Sequence, residues 1–437
     1  MPDLRPRFLL LQNSMHFLRL LIASILPAST HKALLRIYHA LWAGASALVC
    51  NFPARRLTVI GITGTKGKSS VSEMLFAILR HASYPTAMAG TIRFTINEDS
   101  RPNLFKMTMP GRGFLQSFLK QAVQKGARYA IVEVTSEGAV QNRHLFLDMD
   151  ALIFTNLQKE HIESHGSMEE YAKAKFRLGQ ALASSPKRPR AIIANSDSKY
   201  SKPYLTLPVE AKLPFGIGDA SSVELKDGSV SFMYSGVSFS IPQPGEFSIM
   251  NALAAIKTAA WLGIPVEKSS EALSLLTRIP GRAEKVEAGQ DFLAIVDYAH
   301  TPDSLQALYG AYAKRRKICV LGNTGGGRDT WKRPLMGRIA SESCDEVILT
   351  NEDPYDENPE AIVRAMSAEM TREPHIIMDR REAIRTALSM AGTGDAVLIT
   401  GKGTDPYIME ANGAKTAWSD AQVVREELER LAVSEVS

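Results

Sequence analysis

The run Leu57-Thr-Val-Ile-Gly-Ile-Thr63 leads straight into Gly64-Thr-Lys-Gly-Lys-Ser-Ser70, and then into Val71, Met74, Leu75 and Leu79 at helical spacing. A short apolar, β-rich run, a glycine cluster and a 3.6-residue apolar period read as strand, tight turn and helix. Such a junction points the free N–H groups of a helix N-terminus, and the positive end of its dipole, at whatever lies in front of the turn. That suits a phosphate. Lys68 is set to reach β- and γ-phosphates, and the Ser69 hydroxyl to hold Mg²⁺. The strict phosphate-loop pattern wants glycine at position 62, where this chain has Ile62, so Gly61, Gly64 and Gly67 make a variant loop.

Outward from this loop, strands alternate with helices, as in a doubly wound parallel sheet. Ala127 to Thr135 reads as a buried strand ending in Glu133, followed by Ser136. Met149 to Asn156 reads as another, followed by Glu160 and His161 and then by a helix, Met168 to Leu178, that carries Lys173 and Lys175. Ligands of open α/β sheets sit beyond the carboxyl ends of strands, which puts Glu133 and His161 in reach of a metal. A second alternating series follows: Phe292–Tyr298, Lys317–Leu321, Glu346–Asn351, His375–Met378 and Ala396–Thr400. The fold class is therefore α/β, with a helical segment (1–52), a central nucleotide-binding unit (53–280) and a smaller Rossmann-like unit (281–437). The stretch from Gly322 to Gly325 lacks the Gly-x-Gly-x-x-Gly spacing, so a nicotinamide dinucleotide is not expected.

Composition narrows the partners. The 437 residues are 45% hydrophobic and 22% charged, ordinary for a folded chain, and the net charge is +5. The excess is local: residues 1–56 carry seven basic side chains against Asp3 alone. With no basic face spread over the body, nucleic acid is not an expected partner. Met15, Leu18, Ile22 and Ile25, then Leu34, Tyr38, Leu41, Ala45 and Leu48, recur at helical spacing. Arg19 and Arg36 interrupt both stretches, so neither supplies the roughly 20 apolar residues of a membrane span. A helical hairpin packed on the next unit and a basic amphipathic anchor at a membrane surface, through residues 1–50, both remain open. Cys50, Cys319 and Cys344 form no CxxC pair or zinc spacing, and the expectation is three free thiols in a reducing, cytoplasmic setting.

Several stretches together resemble the Mur ligase family, most of all its UDP-N-acetylmuramoyl-tripeptide ligase branch. They are Gly61 to Ser70, Glu133 to Arg143, Phe154 to Lys175, Gly245-Glu-Phe with Asn251-Ala-Leu-Ala-Ala, and Pro280-Gly-Arg-Ala-Glu. Val296 to Asp303, Gly325-Gly-Gly-Arg-Asp with Lys332-Arg-Pro-Leu-Met-Gly, and Gly401-Lys-Gly complete the set, in order and over about residues 57–410. The resemblance implies an ATP-dependent ligase that makes an amide through an acyl phosphate. It gives Gly64, Thr65, Lys66, Gly67, Lys68, Ser69 and Ser70 to the phosphates, Asn251 to the adenine side, Arg282 to a phosphate and Asp297 to the ribose. It gives Ser69 and Glu133 to one Mg²⁺ and His161 to a second. Lys175 matches the family's carbamylated lysine. Thr108, Ser136, Gln141 and Arg143 match positions that hold the acceptor, a UDP-MurNAc-dipeptide, and Asp353, Tyr355 and Asp405 fall where the incoming amino acid is met. The chain is expected to work as a monomer.

Three departures qualify the resemblance. The family's usual uridine-binding first domain has no counterpart before the phosphate loop. The Asp-Asn-Pro-Arg motif reads Glu352-Asp353-Pro354-Tyr355, and a tyrosine makes no bidentate pair with the far carboxylate of diaminopimelate. Asp353, Asp356 and Glu357 would then favour a side-chain cation such as lysine's. Gly-Lys-Gly-His-Glu reads Gly401-Lys-Gly-Thr404-Asp405. A folylpolyglutamate-type or other peptide-polymer ligase, and a non-catalytic ATP-binding subunit at the membrane, are the alternatives.

Overall fold

The computed structural model describes residues 28–111, 113–160 and 162–434. One sheet holds eight strands: β1 (Thr58–Thr63), β2 (Thr86–Ala89), β3 (Arg93–Ile96), β4 (Asp99–Pro102), β5 (Tyr129–Glu133), β6 (Ala151–Phe154), β7 (Ala191–Asn195) and β8 (Ala211–Phe215). Their order is β4-β3-β2-β5-β1-β6-β7-β8. Six run parallel, while β3 and β4 form an antiparallel edge. Because β1 lies between β5 and β6, the crevice beyond their carboxyl ends is where the phosphate loop, Glu133 and Asn156 meet.

Successive strand residues point to opposite faces, and helices cover both, which is why these strands are apolar almost throughout. Ile60, Ile62, Ile131 and Ile153 pack one way, against helices α2 (Lys68–His81) and α5 (Glu246–Trp261). Val59, Val132, Leu152 and Phe154 pack the other way, against α3 (Phe114–Gln124) and α4 (Met168–Ala183). Ile62, the residue that breaks the strict glycine pattern, is fully buried in the first of these cores. A three-stranded antiparallel sheet, β9 (Ser221–Lys226), β10 (Ser229–Tyr234) and β11 (Val237–Ile241), adds Phe232 and Phe239 to the same core.

The second large sheet comprises β12 (Glu284–Val286), β13 (Leu293–Val296), β14 (Lys317–Leu321), β15 (Glu346–Leu349), β16 (His375–Ile376) and β17 (Ala396–Ile399), ordered β12-β13-β17-β14-β15-β16. One face carries α6 (Pro302–Ala311) and α7 (Lys332–Ser343), and the other carries α8 (Arg380–Ser389) and α9 (Asp420–Ser434). Between the last two elements Arg380 Nε and Nη2 donate to the two oxygens of Asp420, each at 2.8 Å, with both side chains buried.

Two expectations are corrected. Cys319 and Cys344 are not free: they form a disulfide with Cα atoms 6.2 Å apart. Cys319 in β14 faces the side that α7 covers, and Cys344 at the end of that helix is brought back over it, a closeness that 25 residues of separation conceal. Cys50 remains a thiol. In the N-terminal segment, helix α1 (Ala28–Val49) forms, but its packed side is Ala47, with Gly44 lying against Phe146. The apolar stripe read from spacing points outward instead, with Leu41 and Leu48 each 69% exposed. The first helix expected there, around Met15 to Ile25, lies outside the described residues. No helix among the described residues is long and apolar enough to cross a membrane.

Candidate active site

The loop after β1 bends through two glycines with positive φ, Gly64 (+148°) and Gly67 (+83°). A Cβ at Gly64 would collide with Thr155 Oγ1, and one at Gly67 with Asn251 Oδ1. The same crowding sets Asn251, from α5, against the start of α2. The loop is pinned from β6: Thr65 N–H donates to Asn156 O (3.0 Å), Lys66 N–H to Asn156 Oδ1 (2.9 Å), and Thr155 Oγ1 to Lys66 O (2.6 Å). Ser70 is buried in the first turn of α2.

Two lysines converge on one oxygen. Lys68 Nζ donates to Gly64 O (2.9 Å) and Thr65 O (3.0 Å), and Lys175 Nζ, arriving from α4, donates to the same Gly64 O (2.8 Å). Lys175 is buried and stands 4.9 Å from the Tyr171 ring centre. Burial first, and then repulsion from Lys68, hold its pKa well below that of a free lysine. Burial also lowers that of Lys68. Both causes disfavour the ammonium form of Lys175 relative to a free lysine.

Opposite them, Glu133 Oε2 accepts from Ser69 Oγ (3.1 Å) and Thr91 Oγ1 (2.8 Å), and Glu133 Oε1 accepts from Thr91 N–H (2.9 Å). Arg282 reaches across from the second unit, its Nη2 donating to Ser69 Oγ (3.4 Å). Asp297 accepts from Ala283 N–H and Ala299 N–H, both at 2.6 Å, and burial raises its pKa. All of these groups except Gly64, Glu133 and Ala283 line one cleft of about 1420 Å³ between the two sheets. Among the described residues no three His, Cys, Asp or Glu side chains gather as metal ligands. Ser69 and Glu133 nevertheless fit Mg²⁺, which takes one or two protein oxygens and fills the rest with phosphate and water.

The positions that the resemblance matches to the acceptor line the same cleft. Thr108 Oγ1 is 2.9 Å from Thr91 Oγ1, Ser136 Oγ is 3.2 Å from His165 Nε2, and Arg143 Nη1 donates to Met109 O at 2.5 Å; Gln141 stands beside them. His161 lies outside the described residues. The amino-acid positions differ from expectation. Asp353 is buried and engaged on both oxygens: Oδ1 accepts from Lys402 Nζ and Met409 N–H (both 2.8 Å), and Oδ2 accepts from Lys106 Nζ (2.5 Å). Asp356 accepts from Asn412 N–H (2.7 Å), and Glu357 is bridged by Arg333. The acids read as a lure for a substrate cation are engaged by the chain's own donors. Asp405 does line the cleft, and Tyr355 lies beside it within reach of two cations, Lys106 and Arg328.

Sequence reasoning missed Thr91, Lys106 and His300. His300 belongs to the quoted Val296–Asp303 stretch, and its Nε2 is 2.8 Å from Glu160 Oε1 across the cleft. Burial, and next Lys66, push its pKa down to about 4. Thr91 and Lys106 sit in no recognisable pattern; only packing brings them in.

The Mur ligase middle-domain profile matches residues 62–259, and the profile described as Mur ligase, glutamate ligase domain matches residues 281–403. A UDP-N-acetylmuramoyl-L-alanyl-D-glutamate–2,6-diaminopimelate ligase of Caldanaerobacter subterraneus subsp. tengcongensis is 40% identical over 374 residues, covering 82% of this chain and 75% of that protein. A solved structure of a ligase of the same name superposes with TM-score 0.59 at 29% identity, covering 86% of this chain and 79% of that one. Mycobacterium tuberculosis folylpolyglutamate synthase, at 17% identity and TM-score 0.69 over 84% of this chain and 93% of its own, shares the fold. On this identity and coverage, the chain belongs to the Mur ligase family of ATP-dependent amide ligases.

Proposed function

We propose that this protein adds a diamino acid to UDP-MurNAc-L-Ala-D-Glu in peptidoglycan precursor synthesis. The convergence of Lys68 and the buried Lys175 on Gly64 O, facing the Ser69–Glu133 pair, carries the reading. In it, an oxygen of the acceptor carboxylate attacks the γ-phosphorus of ATP, ADP leaves, and an acyl phosphate forms. The amine of the amino acid then attacks the acyl carbon, phosphate leaves with the electron pair of the broken C–O bond, and the nitrogen releases a proton to leave the amide.

Lys68 and the free N–H groups at the start of α2 hold the triphosphate, and Arg282 meets it from the far side of the cleft. Ser69 and Glu133 would hold Mg²⁺, which would offset phosphate charge, and the family resemblance gives His161 to a second ion. A neutral Lys175 amine is the form that takes up CO₂, and the resulting carbamate anion beside Lys68 orients the acyl phosphate. Arg143 suits an anionic acceptor. Water is kept from the intermediate by closure of the two units, of which the Arg282–Ser69 and His300–Glu160 contacts are the seams.

The folylpolyglutamate-type alternative has shared fold behind it, whereas the tripeptide-ligase reading has sequence identity along most of the chain. The test is ADP release from purified protein with UDP-MurNAc-L-Ala-D-Glu and Mg²⁺, supplying L-lysine, meso-diaminopimelate and other amino acids singly. Release that depends on one amino acid and is lost in Lys68→Ala supports the proposal. ATP binding without release for any amino acid refutes it.

A further inference from the structure

Lys106 stands in the loop between β4 and α3, in left-handed backbone with φ of +51°. Its side chain crosses the cleft to the second unit. There its Nζ donates to Asp353 Oδ2 at 2.5 Å and lies 3.3 Å from Asp405 Oδ2. The fully buried Lys402 Nζ is 2.8 Å from Asp353 Oδ1 and 3.6 Å from Asp405 Oδ2. Two carboxylates thus face two ammonium groups that belong to the chain itself. An ammonium has three donors, so one N–H of Lys106 remains beyond its two acids. The same Nζ lies 5.9 Å from the Tyr355 ring centre, and the Arg328 guanidinium lies 5.2 Å from it.

Resting on the ligase function proposed above, we propose that Lys106 is a specificity-determining residue for the incoming amino acid. Its ammonium fills the acidic pocket that lysine's terminal ammonium would use, and it offers a cation to a side chain that ends in a carboxylate as well as an amine, as diaminopimelate's does. Two ammonium groups sharing one pair of acids repel each other, whereas a carboxylate placed there gains a charge-assisted hydrogen bond. The cation that Tyr355 does not provide is thereby supplied from the opposite unit. Burial works against charge on Lys106, but Asp405 and Asp353 outweigh it and hold its pKa above the ordinary value, so it stays charged at neutral pH.

The test compares kcat/KM for meso-diaminopimelate and L-lysine, with UDP-MurNAc-L-Ala-D-Glu as acceptor, in the wild-type chain and in Lys106→Gln, Lys106→Arg and Asp405→Asn. The wild type should favour diaminopimelate. Lys106→Gln should move the ratio toward lysine by about tenfold or more, chiefly through KM, while Lys106→Arg keeps the preference. Asp405→Asn leaves Lys106 less neutralised and should move the ratio the opposite way. ATP affinity measured on the same preparations reports that each variant is folded. A wild type that prefers lysine, or a ratio that moves less than about threefold in Lys106→Gln, overturns the role of Lys106 alone. A wild type that joins neither amino acid while binding ATP overturns the function itself, and this inference with it.

Discussion

Lys175 offers a direct test of the chemistry. Its Nζ and that of Lys68 both bond to Gly64 O, so the two nitrogens are separated by no more than about 5.7 Å. At an effective dielectric of about 20, two unit charges at that distance repel by at least about 3 kcal/mol. Burial first, and then this repulsion, hold the Lys175 pKa well below that of a free lysine. The ammonium form is thus disfavoured relative to a free lysine, and the neutral amine is the reactive one: its lone pair attacks CO₂ and, with loss of a proton, leaves a carbamate. The carbamate replaces a repelled cation with an anion beside Lys68. Activity should then depend on dissolved CO₂. In buffer purged of CO₂ at pH 8, ADP release should fall by about 100-fold, the scale of losing one electrostatic stabiliser, and bicarbonate should restore it. With ¹³C-bicarbonate, a carbamate carbon should be visible by NMR in the wild type and absent from Lys175→Gln. Unchanged activity without CO₂, together with no such carbon, would refute the reasoning and leave Lys175 as a buried donor to the loop.

Further outcomes follow from single contacts. Tyr355→Arg adds a bidentate partner for a carboxylate and should raise kcat/KM for diaminopimelate relative to lysine by about tenfold; no change would remove Tyr355 from the amino-acid pocket. Arg380→Met leaves the buried Asp420 carboxylate without its cation and with the Trp418 indole N–H as a donor, and should cost about 3–5 kcal/mol, seen as a lowered thermal midpoint, whereas Arg380→Met with Asp420→Leu should recover part of it. Burial pushes His144 down to a pKa of about 4, against 6.5 for the unfolded chain. The unfolded state therefore binds the extra proton first, and stability is lost as pH falls from about 6.5 to 4, by about 3 kcal/mol. His144→Phe should flatten denaturant midpoints across that window by this amount; parallel wild-type and variant profiles would contradict the assignment.

The strand–turn–helix at Leu57 to Leu79, the alternation of strands and helices, and the strand-end position of Glu133 were legible because each signal lies within a few neighbouring residues. Apolar period selects the element, and glycine marks where the chain turns left-handed. Lys68, Ser69 and Glu133 follow from that local grammar, and the family motifs carried Asn251, Arg282 and Asp297 to the same cleft. The stripe on α1 shows the limit: periodicity says which side chains share a face, but not which face the neighbouring unit covers.

What only the tertiary structure decided are contacts between residues far apart in the chain. Lys175 reaches Gly64 over 111 positions, Arg282 reaches Ser69 over 213, and Lys106 reaches Asp353 over 247. The Cys319–Cys344 bond needs β14 and α7 folded back on each other before it exists. Each depends on how sheets and helices pack and on how the two units close, and no local pattern encodes that geometry. The sequence by itself determined the elements, the phosphate loop and the residue types available. Packing then decided which charges neutralise one another, since a carboxylate that reads as free along the chain is committed once a distant lysine is buried against it.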